Sequence, residues 1–370
     1  MKTTVELSGY RITECLYDGS HTQVYRAVQE ASQQLVAIKI LKKQYPHFDE
    51  LLRFRNQYTI GKQLSHPGLV SMVDLVPYGR CQAMVMKDIG GISLAQYVQS
   101  MRLVPNCKTA AESRGVLSLV QVASIGMQLA DVLHYLGNER VIHKDIKPAN
   151  ILIHPQSEQV ALIDFSVSSL LPKETQEAKN PNGLEGTLAY IAPEQTGRMN
   201  RGVDYRADFY ALGVTLFELL TGQLPFQSKD AMTLVHCHLA KQPPKIVDLA
   251  PAVPHSLAEI VHKLMAKNAE DRYQSALGLK HDLEACLYAL KETGQVAPFE
   301  IGQKDRCDRF IIPEQLYGRE AEVETLLTAF ERVSQGTSEL LLVSGFSGIG
   351  KTAVVNELHK PLVRQRGYFI

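Results

Sequence analysis

The sequence contains no tryptophan, and its six cysteines include no CxxC pair. Such scattered cysteines give no disulfide framework and favour a reducing compartment. Lys plus Arg and Asp plus Glu both number 39, so no bulk charge attracts nucleic acid or an anionic membrane. The N-terminus lacks the apolar core of a signal peptide, and the longest apolar stretch, Tyr210–Leu220, is short and interrupted by Glu218. We therefore expect a cytoplasmic protein with no nucleic-acid partner and no membrane insertion.

At 370 residues, 45% of them hydrophobic, the chain is long enough for about two domains and too apolar to be disordered. Short β-branched segments predict strands at Tyr10–Leu16, Gln23–Val28 and Leu35–Leu41, and a helical period covers Asp49–Leu64. Long helical patterns follow. The chain divides into an N-terminal tail at 1–9, a β-rich lobe at about 10–103, a helical lobe at about 104–290, a linker at 291–312 and the beginning of another α/β domain at 313–370. The predicted fold class is α+β.

The chemistry is concentrated in the segment from His143 to Asn150, which reads HKDIKPAN and precedes two apolar triplets separated by a polar turn. Paired as a hairpin centred on Ser157, the triplets place Asn150 opposite Asp164. An amide oxygen and a carboxylate are hard ligands that suit Mg²⁺, which takes its other ligands from water and substrate phosphates. Asp145 is placed to accept a proton from an attacking hydroxyl, with Lys147 beside it to offset charge on the transferred group.

A second anchor is the apolar stretch Val36-Ala37-Ile38-Lys39. Strand alternation puts Ala37 and Lys39 on one face, so an adenine ring can lie against the alanine while the ammonium reaches phosphate. A lysine in so apolar a strand is costly unless an anion pairs with it. Alone it carries little information, but its position between the glycine-containing turn at Tyr17–Thr22 and a helix makes it specific.

With these motifs, residues 10 to about 290 resemble a eukaryotic-type serine/threonine protein kinase domain. The resemblance implies a bilobal fold, ATP and Mg²⁺ as cofactors, and a protein substrate with a Ser/Thr acceptor, with autophosphorylation as one possibility. It implies that Lys39 binds phosphate, Asp145 and Lys147 act in catalysis, and Asn150 and Asp164 hold the metal. It places nucleotide contacts at Leu16, Gly19, Val24, Ala37, Met86 and Asp88. It assigns supporting roles to Thr187, Glu194, Asp208 and Arg272.

The nucleotide loop departs from the family pattern, because its three glycine positions read Tyr17, Gly19 and Thr22. Side chains at two of these positions limit how closely the loop backbone approaches phosphates, which predicts weaker or looser ATP binding.

Three other positions also differ from the pattern. Gln57 replaces the helix glutamate that pairs with Lys39, and Glu50, two turns earlier and about 10 Å away, is not expected to substitute for it. Ser166 replaces the glycine after Asp164-Phe165, which restricts backbone switching. Lys144 replaces an arginine that in many kinases binds a phosphorylated activation segment, so dependence on such phosphorylation stays open.

A second nucleotide motif follows the linker. Gly345-Phe346-Ser347-Gly348-Ile349-Gly350-Lys351-Thr352 fits GxxxxGKT between a predicted strand, Leu340–Val343, and a helix. The amides around Gly345, Gly348 and Gly350 would cradle phosphates, Lys351 would reach them, and Thr352 would hold Mg²⁺. Tyr317-Gly318-Arg319-Glu320 resembles the opening motif of AAA-like, STAND-type ATPases. Because no strand ending in a metal-coordinating acid follows, we expect a truncated α/β P-loop NTPase segment that cannot hydrolyse ATP unaided.

This order of domains is similar to bacterial multidomain signalling kinases, in which a kinase domain precedes such an ATPase, a GAF sensor and a histidine kinase. The resemblance implies those C-terminal modules as partners in a full-length member. The favoured function is an active serine/threonine kinase. The alternative is a nucleotide-binding pseudokinase that regulates a multidomain sensor ATPase. In a third interpretation, the domain with the phosphate loop has the main activity and the kinase domain regulates it.

Overall fold

The computed structural model describes residues 5–43, 45–102, 117–170, 187–199, 201–307, 318–346 and 348–356. The first lobe is a five-stranded antiparallel sheet in the order β1-β2-β3-β5-β4. Its strands are β1 Tyr10–Asp18, β2 Thr22–Gln29, β3 Leu35–Leu41, β4 Met72–Tyr78 and β5 Cys81–Lys87, with helix α1 Phe48–Gln63 inserted after β3. The predicted N-terminal tail, residues 1–9, includes Val5 and Leu7, and both are buried in the core of this lobe.

Strand β3 shows why this sheet separates two apolar layers. Val36, Ile38 and Ile40 join one core cluster, whereas Ala37 and Leu41 join the other, on the side of helix α1. This alternation is the period of two that the sequence predicted.

The second lobe is mainly helical, as predicted. Its helices are α2 Leu94–Arg102, α3 Leu119–Asn138, α4 Arg206–Thr221, α5 Ala231–Ala240, α6 Ile246–Leu249, α7 His255–Leu264 and α8 Ala276–Thr293. Helix α2 lies before the predicted lobe boundary at about residue 103 but packs into the core of this lobe. Within the described ranges, α3 alone is long and apolar enough to span a membrane by length and composition. Its apolar side chains pack into the main core of this lobe together with those of α4, which is buried along almost its whole length.

A small sheet of β6 Ile92–Ser93, β7 Ile151–Ile153 and β8 Val160–Leu162 carries the candidate site. The β7–β8 hairpin forms, but its register differs by one residue from the prediction: Ile151 pairs with Leu162, and Ile163 N donates to Asn150 O at 2.9 Å. The predicted pairing of Asn150 with Asp164 was therefore wrong. Four residues, 155–158, form the turn between His154 and Gln159, and an even loop cannot be centred on one residue.

The segment predicted as a linker packs against the second lobe over its described part, which ends at residue 307. Its apolar side chains at Val296, Phe299 and Ile301 join the core. Asp305 holds the residues just before α8 by accepting hydrogen bonds from the backbone of Gln274 and Ser275, each at 2.8 Å. Gly278 permits this approach, since a Cβ there would lie 2.6 Å from Asp305 Cα.

Farther along the chain, α9 Glu320–Ser334 and α10 Lys351–Asn356 form as helices. The strand predicted at Leu340–Val343 does not form, and Leu340 and Leu342 are 97% and 91% exposed. The prediction was wrong because a strand needs a neighbour for its backbone hydrogen bonds, and none of the described strands lies beside this segment.

Candidate active site

Lys39 projects from β3 into the space between the lobes, where it is 8% exposed. Its Nζ donates to Gln57 Oε1 on α1 at 2.8 Å and to Asp164 Oδ2 at 3.2 Å. The amide of Gln57 accepts the hydrogen bond without neutralising the ammonium. The compensating charge therefore comes from Asp164, which a buried lysine requires.

The charge state of Asp164 follows from its neighbours. Burial by itself would raise the pKa of this carboxyl, but the Lys39 ammonium and hydrogen bonds from Ser166 lower the pKa to about 2. Ser166 N donates to Asp164 Oδ1 at 3.2 Å, a backbone contact that a glycine at this position would also make. Asp164 is ionised at neutral pH and can act as a hard metal ligand.

The Asp145 carboxylate lies at the centre of a hydrogen-bonded group. Oδ2 accepts from Lys147 Nζ at 2.6 Å and from Asn150 Nδ2 at 2.8 Å, and Oδ1 accepts from the Thr187 hydroxyl at 2.9 Å. Asn150 Nδ2 also donates to the backbone oxygen of Asp145. Because its amide nitrogen is used in this way, the side-chain oxygen of Asn150 remains for a cation.

Two buried carboxylates hold the surrounding loops, as the resemblance implied. Asp208, at the start of α4, accepts hydrogen bonds from the backbone N–H groups of His143 and Lys144, each at 2.8 Å. Burial raises the pKa of Asp208 against the opposing effect of His143. Glu194 forms a bidentate ion pair with Arg272 at 2.6 and 2.8 Å, and both residues are 1% exposed.

The nucleotide loop between β1 and β2 is covered by its own tyrosine. Val24 pairs with Tyr17 on one side and with Lys39 on the other, so the strands that flank the loop continue directly beside the lysine. The Tyr17 ring folds across Gly19, where a Cβ would clash with the tyrosine ring and its hydroxyl oxygen. This glycine is required for the observed packing.

Glu50 does not reach Lys39, as expected from its distance along the helix. It accepts from the backbone of His47 at 2.9 Å, and it bonds the loop residue His21 at 2.8 Å and Lys43 at 3.1 Å. The first of these contacts, followed by the other two, lowers the pKa of Glu50 to about 2. Its link to the loop was missed, although its third position in the helix is typical of a capping residue.

The predicted adenine contacts lie on the same sheet. Ala37 pairs with the buried Met86 across β3 and β5, and Leu16 and Val24 are half-buried on β1 and β2. The carboxylate of Asp88 is engaged by Arg26 Nε at 2.6 Å. Any contact of Asp88 with adenine would therefore use its backbone.

In the second nucleotide motif, Gly348 and Gly350 have φ values of 80° and 89°, a region that favours glycine; Gly345 has φ 159°. Lys351 opens α10, which also contains Thr352, and Lys351 Nζ donates to the carbonyls of Gly345 and Phe346 at 2.9 and 2.8 Å. Two residues of the C-terminal motifs, Tyr317 and Ser347, lie outside the described residues. So does Thr175, one of the residues whose phosphorylation the sequence leaves open.

The described residues contain no group of three or more His, Cys, Asp or Glu side chains that would hold a metal by themselves. Asn150 and Asp164 fit Mg²⁺ as a pair of oxygen ligands, because this ion commonly completes its shell with water and substrate phosphates.

Comparisons with known proteins agree with this arrangement. The family model of the protein kinase domain matches residues 10–283, and that of the AAA ATPase domain matches 315–370. The serine/threonine-protein kinase PrkC of Bacillus subtilis is 30% identical over 76% of the chain and 41% of that protein. The probable serine/threonine-protein kinase PknB of Lactococcus lactis is 32% identical over 83% of the chain and 46% of that protein.

A third relative, the hybrid signal transduction histidine kinase G of Dictyostelium discoideum, is 44% identical over 47% of the chain and 6% of that protein. The chain spans less than half the length of these three relatives.

Proposed function

Because the chain belongs to the protein kinase family, we propose that it transfers the γ-phosphoryl group of ATP to Ser or Thr hydroxyls of a protein. This is the reaction of the non-specific serine/threonine kinases, EC 2.7.11, and we assign it to signal transduction in the cytoplasm of a bacterium. The observation that carries the proposal is the meeting of Lys39 and Asp164, one from each lobe, at 3.2 Å.

The residues present suit phosphoryl transfer by position and charge. Asn150 and Asp164 would hold Mg²⁺, which, when bound, neutralises charge on the phosphates. Lys39 would bind phosphate oxygens. Asp145 Oδ1 already accepts a hydrogen bond from an alcohol, the hydroxyl of Thr187. An acceptor hydroxyl that takes this place gives its proton to Asp145 as its oxygen attacks the γ-phosphorus. The bond between this phosphorus and the bridging oxygen of ADP breaks, ADP leaves, and Lys147 offsets the negative charge on the transferred group.

The pseudokinase alternative draws support from two departures from the family pattern. Gln57 supplies no negative charge to balance the Lys39 ammonium. The Tyr17 ring covers the loop that would contact phosphate. Such a protein would bind nucleotide and regulate the modules beside it without transferring phosphate.

Incubation with ATP and Mg²⁺, followed by mass-spectrometric mapping of phosphorylated residues, separates the two functions. The kinase proposal predicts phosphoserine or phosphothreonine on a generic protein substrate or on the chain itself, including Thr187 or Ser169. It also predicts their loss in Asp145→Ala. Equal phosphorylation in the parent and in Asp145→Ala would refute it.

The covered nucleotide loop yields a prediction on affinity. Tyr17→Gly should tighten binding of an ATP analogue about three- to tenfold, because loop amides then approach phosphate, at a small cost in chain entropy. Tyr17→Phe retains the ring and should bind like the parent. Calorimetric titration of both variants checks this, and equal affinities for Tyr17→Gly and the parent would contradict it.

We further propose that residues 315–370 begin an ATPase domain that works with sensor modules in a longer protein. The name of the Dictyostelium relative, a hybrid signal transduction histidine kinase, supports such an arrangement. Lys351 would exchange its carbonyl partners for phosphate when this loop binds ATP. A full-length protein carrying Lys351→Ala would test whether this domain controls phosphate transfer.

A further inference from the structure

Helix α1 carries two neighbouring amide side chains that reach different parts of the site. Gln57 is 2% exposed and bonds Lys39. Asn56 is half-buried, and its Nδ2 donates to the backbone oxygen of Ser168 at 3.2 Å. Adjacent helical residues point about 100° apart, so one turn of α1 contacts both the phosphate-binding lysine and the segment that follows Asp164.

Ser168 connects helix α1 to the loop that carries Asp145. It is 5% exposed, and its hydroxyl donates to the backbone oxygen of His143 at 3.0 Å. Its own N–H donates to the oxygen of Phe165 at 3.2 Å. The next residue, Ser169, forms two backbone hydrogen bonds with Ile142, each at 3.0 Å. The segment after Asp164 is thus fixed directly beside the loop that carries Asp145.

From these contacts we propose that Asn56 is a positioning residue for phosphoryl transfer. Its amide holds Ser168, and Ser168 holds His143, two residues before Asp145. The inference rests on the proposed kinase function. It explains how α1 stays engaged with the site when Gln57 cannot form the ion pair of a glutamate: the helix is held by two neutral amides rather than by one charge pair.

The same contacts determine the role of Ser168. A phosphate on its hydroxyl would have to leave the buried position and break the bond to His143, because a dianion cannot stay buried without cationic partners. Ser168 therefore serves as a structural link and is not the phosphorylated residue of the folded enzyme.

The test compares Asn56→Ala, Ser168→Ala and the double variant with the parent, using the full chain. Thr59→Ala, an exposed position on the same helix, is the matched control. Each single change should lower kcat about five- to twentyfold, the effect of one lost hydrogen bond. The KM for MgATP should stay within twofold of the parent. Loss of either hydrogen bond, Asn56 to Ser168 or Ser168 to His143, should make the other ineffective. The kcat of the double variant should therefore be no lower than that of the slower single variant.

Hydrogen exchange supplies a readout that does not need activity. In Asn56→Ala, amides of residues 165–170 should exchange faster, whereas those of α4 and α8 should be unchanged. Multiplicative losses in the double variant, or unchanged exchange at 165–170, would overturn the proposal. If the parent transfers no more phosphate than Asp145→Ala, the kinase function fails, and the exchange result alone decides the role of Asn56.

Discussion

Asp145→Ala is expected to slow phosphoryl transfer about 10²- to 10⁴-fold, because the acceptor hydroxyl then loses its positioned base. Lys147 and Asn150 would remain, but both now donate to the carboxylate that is removed. The change should appear in kcat, since Asp145 has no assigned contact with the nucleotide.

Single-turnover transfer of labelled phosphate to a generic substrate measures this effect. The matched control is Asp131→Ala, which removes a partly exposed carboxylate paired with Lys280 on the surface and should retain the parent rate. Binding of the ATP analogue should be the same in both variants. Transfer by Asp145→Ala within tenfold of the parent would show that another group accepts the proton.

Arg272→Met is expected to lower the free energy of unfolding by about 3–5 kcal/mol, because it leaves the Glu194 carboxylate buried without its partner. The two residues are each 1% exposed. Arg272 also donates to the backbone oxygens of Arg206, Ala266 and Lys267, so its loss would leave several buried acceptors unsatisfied.

Urea unfolding of the variant beside Lys280→Met checks this expectation. Lys280 pairs with Asp131 at 2.6 Å, but both side chains are partly exposed, and such a pair contributes about 0–1 kcal/mol. The double change Arg272→Met and Glu194→Leu should recover part of the loss, since no unpaired charge then remains. Equal destabilisation by Arg272→Met and Lys280→Met would contradict the assigned role of the buried pair.

The parts of the site that the sequence predicted depend on local rules. Alternation in β3 was enough to place Ala37 and Lys39 on one face of the strand, and the apolar surroundings of Lys39 showed that it needs an anion. The positions of Glu194, Arg272 and Asp208 followed from a resemblance that covers the whole domain, and their hydrogen bonds agree with it.

What was missed depends on contacts between distant residues or on the geometry of a turn. The β7–β8 register depends on the number of residues in the turn, and polar composition does not reveal that number. Asp164 lies one residue beyond Ile163, the residue that faces Asn150. It has a φ of 70°, and its carboxylate still reaches Lys39. Asn56 and Ser168 are separated by 112 positions, and no local pattern connects them.

The strand at Leu340–Val343, by contrast, was predicted from the sequence but does not form in the structure. Its apolar composition is typical of a buried parallel strand, but composition supplies no partner, and Leu340 and Leu342 lie exposed in the described structure. The sequence also did not predict that the linker segment packs against the second lobe. The contact depends on Asp305 and the residues just before α8, which are about thirty positions apart in the chain.

The most direct test of nucleotide binding between the lobes is calorimetric titration of a non-hydrolysable ATP analogue, with and without Mg²⁺. Lys351→Ala serves as the background, so that the second nucleotide motif does not contribute. We expect Mg²⁺ to tighten binding at least about tenfold, which corresponds to about 1.4 kcal/mol. In Asp164→Asn this enhancement should disappear, and Lys39→Met should weaken binding under both conditions. Binding that ignores Mg²⁺, or an enhancement that survives Asp164→Asn, would contradict the assignment of the cleft as a site for magnesium-bound ATP.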